Sequence, residues 1–439
     1  MTTIDRSAGI LLLRRLRESR GWSWSDLARA MLDTARRTSP ATHSRLTLPS
    51  VLRSIARWES LNASTVPGDR YRLLLAHLYA RTPIGEPALG PGTDFDVLLT
   101  ALRHLGVPDD RVAAITDTVA HATSVEDPVL WLGTAACFHV HASPDDESIE
   151  QLTRSAAVVA AGIGVVSFVR LHLALAPAVR ACRVLAGPAS GHRPDRSLRV
   201  AADILAVAAR IAFETRDDSA SAALYNEALT AASRAADHSG AAAIRTSLAM
   251  VTLHRTDDPA VAQTIARAAT HDAHRGPSHA IRARAHAVHA EILARASESD
   301  AAADALDRAH ATLAQATADD PRASFNHDHL TGFDGLCTLH RGDPTRAHML
   351  LDRTLTGLAG PRDTVQRGIV LTDLARARLR LGDPRACAEL AHHVVELITP
   401  TAARVPTLRI RRLLRDLRPW RDQHFVHELH DHVHDTLLC

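Results

Sequence analysis

The chain has 439 residues, with 51 basic and 49 acidic side chains and a formal net charge of +2, so it is too long for one hydrophobic core and two or more domains or an extended repeat array are expected. An aromatic content of 3% disfavours aromatic-rich sandwiches and favours alanine-packed helices. Five scattered cysteines, Cys137, Cys182, Cys337, Cys387 and Cys439, lack CxxC spacing and exclude a zinc ribbon or a disulfide framework.

Helical periodicity starts near the N-terminus. Leu12, Leu13 and Leu16 share one face of a first helix that Gly21 ends. Trp22-Ser23-Trp24-Ser25 then supplies serine caps for a second helix through Asp26-Leu27-Ala28-Arg29-Ala30-Met31. Two helices joined by a short glycine turn open a helix-turn-helix. After Thr47-Leu48-Pro49, Ser50 reads as the N-cap of a third helix that buries Val51, Ile55 and Trp58. Its outward face then carries Ser50, Arg53, Ser54 and Arg57, and a guanidinium fork there suits guanine O6/N7 or two phosphate oxygens. Glu59 is expected to pair with an arginine of the first helix.

Charge is segregated. Residues 1–85 hold 14 arginines against 6 acidic residues, a net of +8, and the remainder holds 37 against 43, a net of −6. A basic head on an acidic body is the footprint of phosphate binding. Trp24, Arg36, Arg37, Arg70 and Arg72, with Arg14 and Arg15, are the candidate phosphate contacts.

Gly21 before an aromatic residue, the Leu27-Ala28 pair and the run Ser54-Ile55-Ala56-Arg57-Trp58-Glu59 before Pro67 resemble the XRE (Cro/C1-type) helix-turn-helix family, in particular its long actinobacterial members with C-terminal helical repeats. The absence of lysine among the 51 basic residues fits high-GC coding of that kind. The chain departs from the family in two places. Trp24 stands where the family usually has a phosphate-anchoring glutamine, and an insert of about seventeen residues, roughly Leu32 to Leu46, separates helices two and three where the family has a tight turn. The resemblance implies a double-stranded DNA operator bound by a homodimer.

Residues 82–92, dense in proline and glycine, read as a linker, placing a domain boundary near residue 85. The expected organisation is a helix-turn-helix domain over 1–85, a linker and irregular helical pairs over 86–196, and a repeat domain over 197–439. Turns at Asp217-Asp218, Asp257-Asp258-Pro259, Ser299-Asp300, Gly342-Asp343-Pro344 and Gly382-Asp383-Pro384 recur at 40 to 43 residues. A small residue follows several of them, as in Ala222, Ala262 and Ala347. Helix, turn and helix at fixed period is a solenoid signature. The Gly-Asp-Pro-x-x-Ala pattern resembles tetratricopeptide repeats, with HEAT-like pairs as the alternative. The fold class is therefore all-α, a helix-turn-helix domain followed by an α-solenoid.

In a tetratricopeptide register the concave face includes Ser247, His254, His286, His289, His329, Thr372 and Arg376, and the resemblance implies a signalling peptide, a small molecule or a partner protein there. His427, His430 and His434 share one face of the last helix, a spacing open both to a transition metal and to a plain exposed face opposite Leu429, Val433 and Leu437. No metal is assigned. A phosphate loop, a dinucleotide glycine fingerprint and HExxH are all absent, and Gly162-Ile163-Gly164 sits in a helical stretch, so neither catalysis nor a cofactor is expected. Ile10 to Leu13 is too short for a signal peptide and Ala156 to Val169 too short to span a bilayer, which leads to the expectation of a cytoplasmic protein without membrane contact. Two functions remain open: a transcriptional regulator, or a helical-repeat interaction scaffold or antitoxin-like partner without DNA readout.

Overall fold

The computed structural model describes residues 4–38, 46–60, 65–81, 88–123, 146–186, 195–317, 320, 325–360, 363–401 and 403–438. Among these, every extended element is helical, with twenty α-helices in tandem and no strand. No helix among them is long and apolar enough to cross a membrane. They gather into two compact units.

The described residues of the first unit fall within Met1–His141, Asp146–Val159 and Val169–Ala181. It contains α1 (Arg6–Ser19), α2 (Trp24–Thr38), α3 (Leu48–Trp58), α4 (Asp69–Tyr79), α5 (Asp94–His104) and α6 (Asp109–Thr123), with parts of α7 (Asp146–Gly162) and α8 (Phe168–Ala186). Ile10, Leu13 and Leu16 recur at helical spacing and are buried, so α1 forms where its apolar stripe has a core to cover. Ser23 and Asp26 start α2 reciprocally: the Asp26 amide donates to Ser23 Oγ at 3.2 Å and the Ser23 amide to Asp26 Oδ2 at 2.9 Å.

The second helix is longer than its sequence signals indicate. It runs on through Leu32 to Thr38, so half of the expected insert is helix, and Thr34 and Ala35 bury against the core. The remainder of the insert, 39–45, lies outside the described residues. The start of α3 also moves. Thr47 is the N-cap and Ser50 the third helical residue, the two side chains closing a capping box.

The boundary expected near residue 85 lies outside the described residues, and the core on its N-terminal side continues past it. Phe95, Leu98 and Leu102 of α5 and Val112 and Val119 of α6 are buried in one apolar cluster with Leu13, Ile55 and Tyr79. Helices α5 and α6 thus close the first unit, where the sequence reading has them opening the repeat stack. Gly9 explains how closely α5 approaches: a Cβ there would lie 2.8 Å from Leu105 Cγ and 3.0 Å from the Ala101 carbonyl oxygen.

The second unit holds α9 (Asp195–Glu214), α10 (Asp218–Arg234), α11 (His238–Thr256), α12 (Pro259–Arg275), α13 (His279–Arg295), α14 (Ser299–Leu313), α15 (His327–Arg341), α16 (Pro344–Gly357), α17 (Thr364–Arg380), α18 (Pro384–Ile398), α19 (Arg404–Asp416) and α20 (His424–Val433). Each odd-numbered helix from α9 to α17 packs on the even one after it, and α9, α11, α13, α15 and α17 pack in succession, forming one layer of a helical-repeat stack.

All five expected turns fall inside these pairs and share a left-handed residue, and all but the third, where Glu298 makes no side-chain cap bond, close with an aspartate cap. The residue before the cap is left-handed: Arg216 (φ 65°), Asp257 (56°), Ser297 (64°), Gly342 (93°) and Gly382 (86°). Asp217, Asp258, Asp343 and Asp383 then accept an amide of the next helix's first turn. Four residues beyond each cap, Ser221, Ala262, Ala302, Ala347 and Cys387 are at most 1% exposed, because there the second helix crosses the first most closely. The register in the first pair runs from Asp217, so Ser221 takes the buried place and Ala222 is only half-buried.

A non-glycine residue held left-handed costs about 1 kcal/mol, which glycine avoids. Ser297→Gly should therefore be neutral or stabilising by up to about 1 kcal/mol, and Gly342→Ala destabilising by about the same amount, read as opposite shifts of the urea midpoint.

Candidate nucleic-acid interface and inner repeat face

The first unit is organised around Glu59, the residue that ends α3. Its carboxylate is 3% exposed and accepts both ends of the Arg17 fork, Nε at 2.8 Å and Nη2 at 2.7 Å. The expected partner on the first helix is thus Arg17. Arg17 Nη1 also donates to the Trp22 carbonyl at 2.8 Å, and Arg14 Nη2 to the Glu59 carbonyl at 2.9 Å. Three points along the chain, α1, the start of α2 and the end of α3, meet at one carboxylate, because Trp24 Nε1 donates to Glu59 Oε2 at 2.9 Å, and Arg17 ties the intervening turn to them. This bond revises the role expected for Trp24: its single N–H is committed to Glu59 and is not presented to a phosphate.

With α3 held there, its outward face is set. Arg53 and Arg57 are exposed one helical turn apart, Arg57 Nε donating to the Arg53 carbonyl at 3.3 Å. Ser50 and Ser54 are half-buried and serve the backbone: Ser50 Oγ donates to the Thr47 carbonyl at 2.8 Å, and Ser54 Oγ to the Ser50 carbonyl at 3.0 Å. The two arginines therefore carry the accessible chemistry of this face. Trp58 packs edge-on to Tyr71 at 4.9 Å, bracing α3 against α4.

The candidate phosphate contacts divide in the same way. Arg15, Arg36 and Arg70 are exposed, Arg70 lying over the Tyr71 ring at 5.0 Å. Arg37 lies 3.3 Å from Asp33, and Arg72 is bound to Asp69 at 2.8 Å with its side chain 15% exposed. These last two are turned toward local carboxylates.

Helix α8 supplies something that sequence reasoning did not find. Its His172 Nε2 lies 2.6 Å from Asp26 Oδ1 and its Arg170 Nε 3.5 Å from Asp33, so α2 is covered by α8, whose Leu173 joins the same core. Burial alone would raise the Asp26 carboxyl, but His172 and Ser23 outweigh it and hold the group well below the usual carboxylate range. A signal was present, since Asp26 and Asp33 are seven residues apart on one face of a helix that otherwise buries apolar residues.

In the second unit the residues expected to line the groove separate. His254 is 7% exposed and His286 3% exposed. Burial, with nearby arginines, pushes His254 far down the scale, and burial beside His274 lowers His286 to about 4, so both are neutral at pH 7. His286 packs edge-on to His274 of α12 at 5.2 Å, hence toward the second layer and not the inner face. Thr372 is fully buried, donating to the Ile369 carbonyl at 2.6 Å. Ser247, His289 and His329 are half-buried, His329 Nδ1 standing 2.6 Å from Asn326 Oδ1. Arg376 lies 3.4 Å from Asp416 of α19. Of these seven residues, His254, His286 and Thr372 are buried, and Arg376 reaches α19.

Carboxylates gather elsewhere: Glu214, Glu291 and Asp373 lie on the first helices of their pairs, and Asp218 and Asp257 at the turns that follow such helices. All of them meet α19. Arg409 donates to Asp373 Oδ2 at 2.5 Å and to Glu291 Oε1 at 3.0 Å, and Glu291 also takes Arg295 at 2.8 Å. Arg404 forks onto Asp218 at 2.5 and 3.1 Å, lies over the Phe213 ring at 4.3 Å, and its amide donates to Glu214 at 2.6 Å. Arg412 reaches Asp257 at 2.5 Å. A legible clue was the lone acid inside an apolar helical run, as in Ala290-Glu291-Ile292 and Thr372-Asp373-Leu374. A separate cleft of about 560 Å³ opens at the turns before α11 and α13, among Arg199, Asp237, Arg275, Ser278 and Asp320.

Among the described residues no group of three or more histidine, cysteine or acidic side chains is disposed to hold a metal. His427, His430 and His434 are exposed, while His432 stacks on His392 at 5.0 Å. The sequence matches no family model and no curated protein.

Removing one partner from a buried ion pair costs about 3–5 kcal/mol. Glu59→Gln should therefore lower the stability of the first unit by about 3 kcal/mol in chemical denaturation, with the Trp24 fluorescence shifting as its indole partner weakens. Asp26 is lowered in the folded chain, so its contribution is complete above the unfolded value near about 4 and lost as pH falls below it. Asp26→Asn should flatten the acid limb of the stability curve below about pH 4 without changing its slope near neutrality.

Proposed function

We propose that the chain is a DNA-binding transcriptional regulator, its α1–α4 head an XRE-like helix-turn-helix and its helical stack a tetratricopeptide-like domain that answers to a peptide or small-molecule effector. The observation that carries this reading is the exposed Arg53/Arg57 pair on a helix clamped by the buried Glu59–Arg17 fork, in a stretch of net charge +8 over residues 1–85. Recognition demands donors whose positions do not drift, and the clamp supplies that. Arg15, Arg36 and Arg70 are the phosphate contacts in this reading, and their share of the affinity is salt-dependent. One helix reads few bases, so a homodimer on two half-sites about 34 Å apart is the expected operating form.

A second reading, an interaction scaffold without base readout, is favoured by Trp24, whose N–H is committed to Glu59, and by α8 covering Asp26 and Asp33.

Fragments selected from a genomic DNA pool by the purified protein separate the two. Arg53→Ala with Arg57→Ala should weaken retention of selected fragments by at least about tenfold at moderate salt, since each base-reading fork is worth about 1–3 kcal/mol, and should leave helix content unchanged. Undiminished retention by the double variant, or only weak sequence-blind binding by the native chain, would overturn the regulator reading.

A further inference from the structure

The inner face of the repeat stack is already occupied, and by the chain itself. Through its arginines α19 reaches the first pair (Glu214 and Asp218), the second (Asp257), the third (Glu291) and the fifth (Asp373). A single helix can touch helices so far apart in a stacked layer only by lying against the inner face of that layer where it curls.

The helix has two faces. Ile410, Leu413 and Leu417 are buried in an apolar cluster with Val394 and Ile398 of α18 and Leu429 of α20. Arg404 and Arg412 leave from the opposite side toward the carboxylates, and Arg409, buried beside the apolar face, leaves from its flank. The pairs grade from rim to centre: Asp257 and Asp218 are 69% and 37% exposed, whereas Glu291 and Asp373 are 3% and 6% exposed. The central pair decides which chemistry the face accepts. If α19 leaves, Glu291 keeps Arg295, but Asp373 loses the Arg409 guanidinium. A buried carboxylate stripped of its cation is strongly unfavourable. A neutral or anionic replacement is thereby rejected, and one carrying a guanidinium at the position of Arg409 is accepted.

We infer that the inner face is a receptor for an arginine-bearing amphipathic helix, that α19 is its built-in occupant, and that an external peptide of the same chemistry binds by displacing it. The inference deepens the effector reading above and rests on it for the biological role, while the peptide chemistry stands on the contacts alone.

The probe is a fluorescent synthetic peptide of residues 403–418, followed by anisotropy with the full-length chain in the absence of DNA. The native chain, with α19 tethered in place, should bind it weakly. Arg404→Ala with Arg412→Ala loosens the two rim anchors and keeps the buried Arg409, and it should bind the peptide about tenfold more tightly. Glutamine in place of the peptide's three contacting arginines should remove that gain. Hydrogen exchange of the native chain gives a second reading that needs no variant: α19 amides should exchange faster than those of α13, as befits a detachable occupant. Equal binding of the arginine and glutamine peptides, no binding to the loosened chain, or α19 protection equal to that of α13 would overturn the proposal. Such an outcome with operator retention intact sinks only the receptor; loss of retention with peptide exchange intact sinks only the regulator.

Discussion

A carboxylate taken out of water must bring a cation with it, and in both units of this protein that constraint fixes which helices can be neighbours. At Glu59 the cation is Arg17 and at Glu291 and Asp373 it is Arg409, each reaching across dozens of residues. A hydrophobic contact tolerates sliding by a residue; a buried fork does not, because a misplaced register leaves a charge in a low-dielectric interior. Arginine suits this role better than lysine, since its planar fork satisfies both oxygens of one carboxylate or one oxygen each of two.

In the first unit the constraint has a geometric product. The end of α3 is tied to α1 and to the start of α2, so the exposed side of α3 is held in a fixed attitude, with Arg53 and Arg57 projecting from it. The apolar core alone would hold these helices together, but it would not specify their rotation so sharply. Helices α5 and α6 extend that core, and Arg20 fastens α5 to it: its side chain, 4% exposed, meets Asp94 at 2.7 Å and lies over Tyr79 of α4 at 4.7 Å.

In the second unit the same chemistry closes a surface. Solenoids are held by contacts between neighbouring repeats, and α9 to α18 follow that rule through small buried residues at the crossing points. The contacts of α19 break it, joining Arg404 to Asp218 across 186 residues and Arg412 to Asp257 across 155. Such pairs do little to define the individual repeats; they hold the ends of the stack in register and fill the face that would otherwise be open.

The sequence by itself determined the helical class, the five turns and the helices of the head, because these depend on interactions between residues a few positions apart: a cap, a left-handed turn, an apolar stripe. It also pointed to Glu59 as a partner for the first helix and to Arg53 and Arg57 as outward-facing. Only the tertiary structure decided which side of each repeat helix faces inward. Nearly every face of α13 is alanine-rich, so periodicity could not tell His286, packed against α12, from Glu291, turned toward α19. It alone decided, too, that Trp24 serves Glu59, that α8 covers Asp26, and that the inner face is filled by arginines from the far end of the chain. Those pairings are made between residues far apart in sequence, where no local pattern records them and only the need to neutralise a buried charge selects the partner.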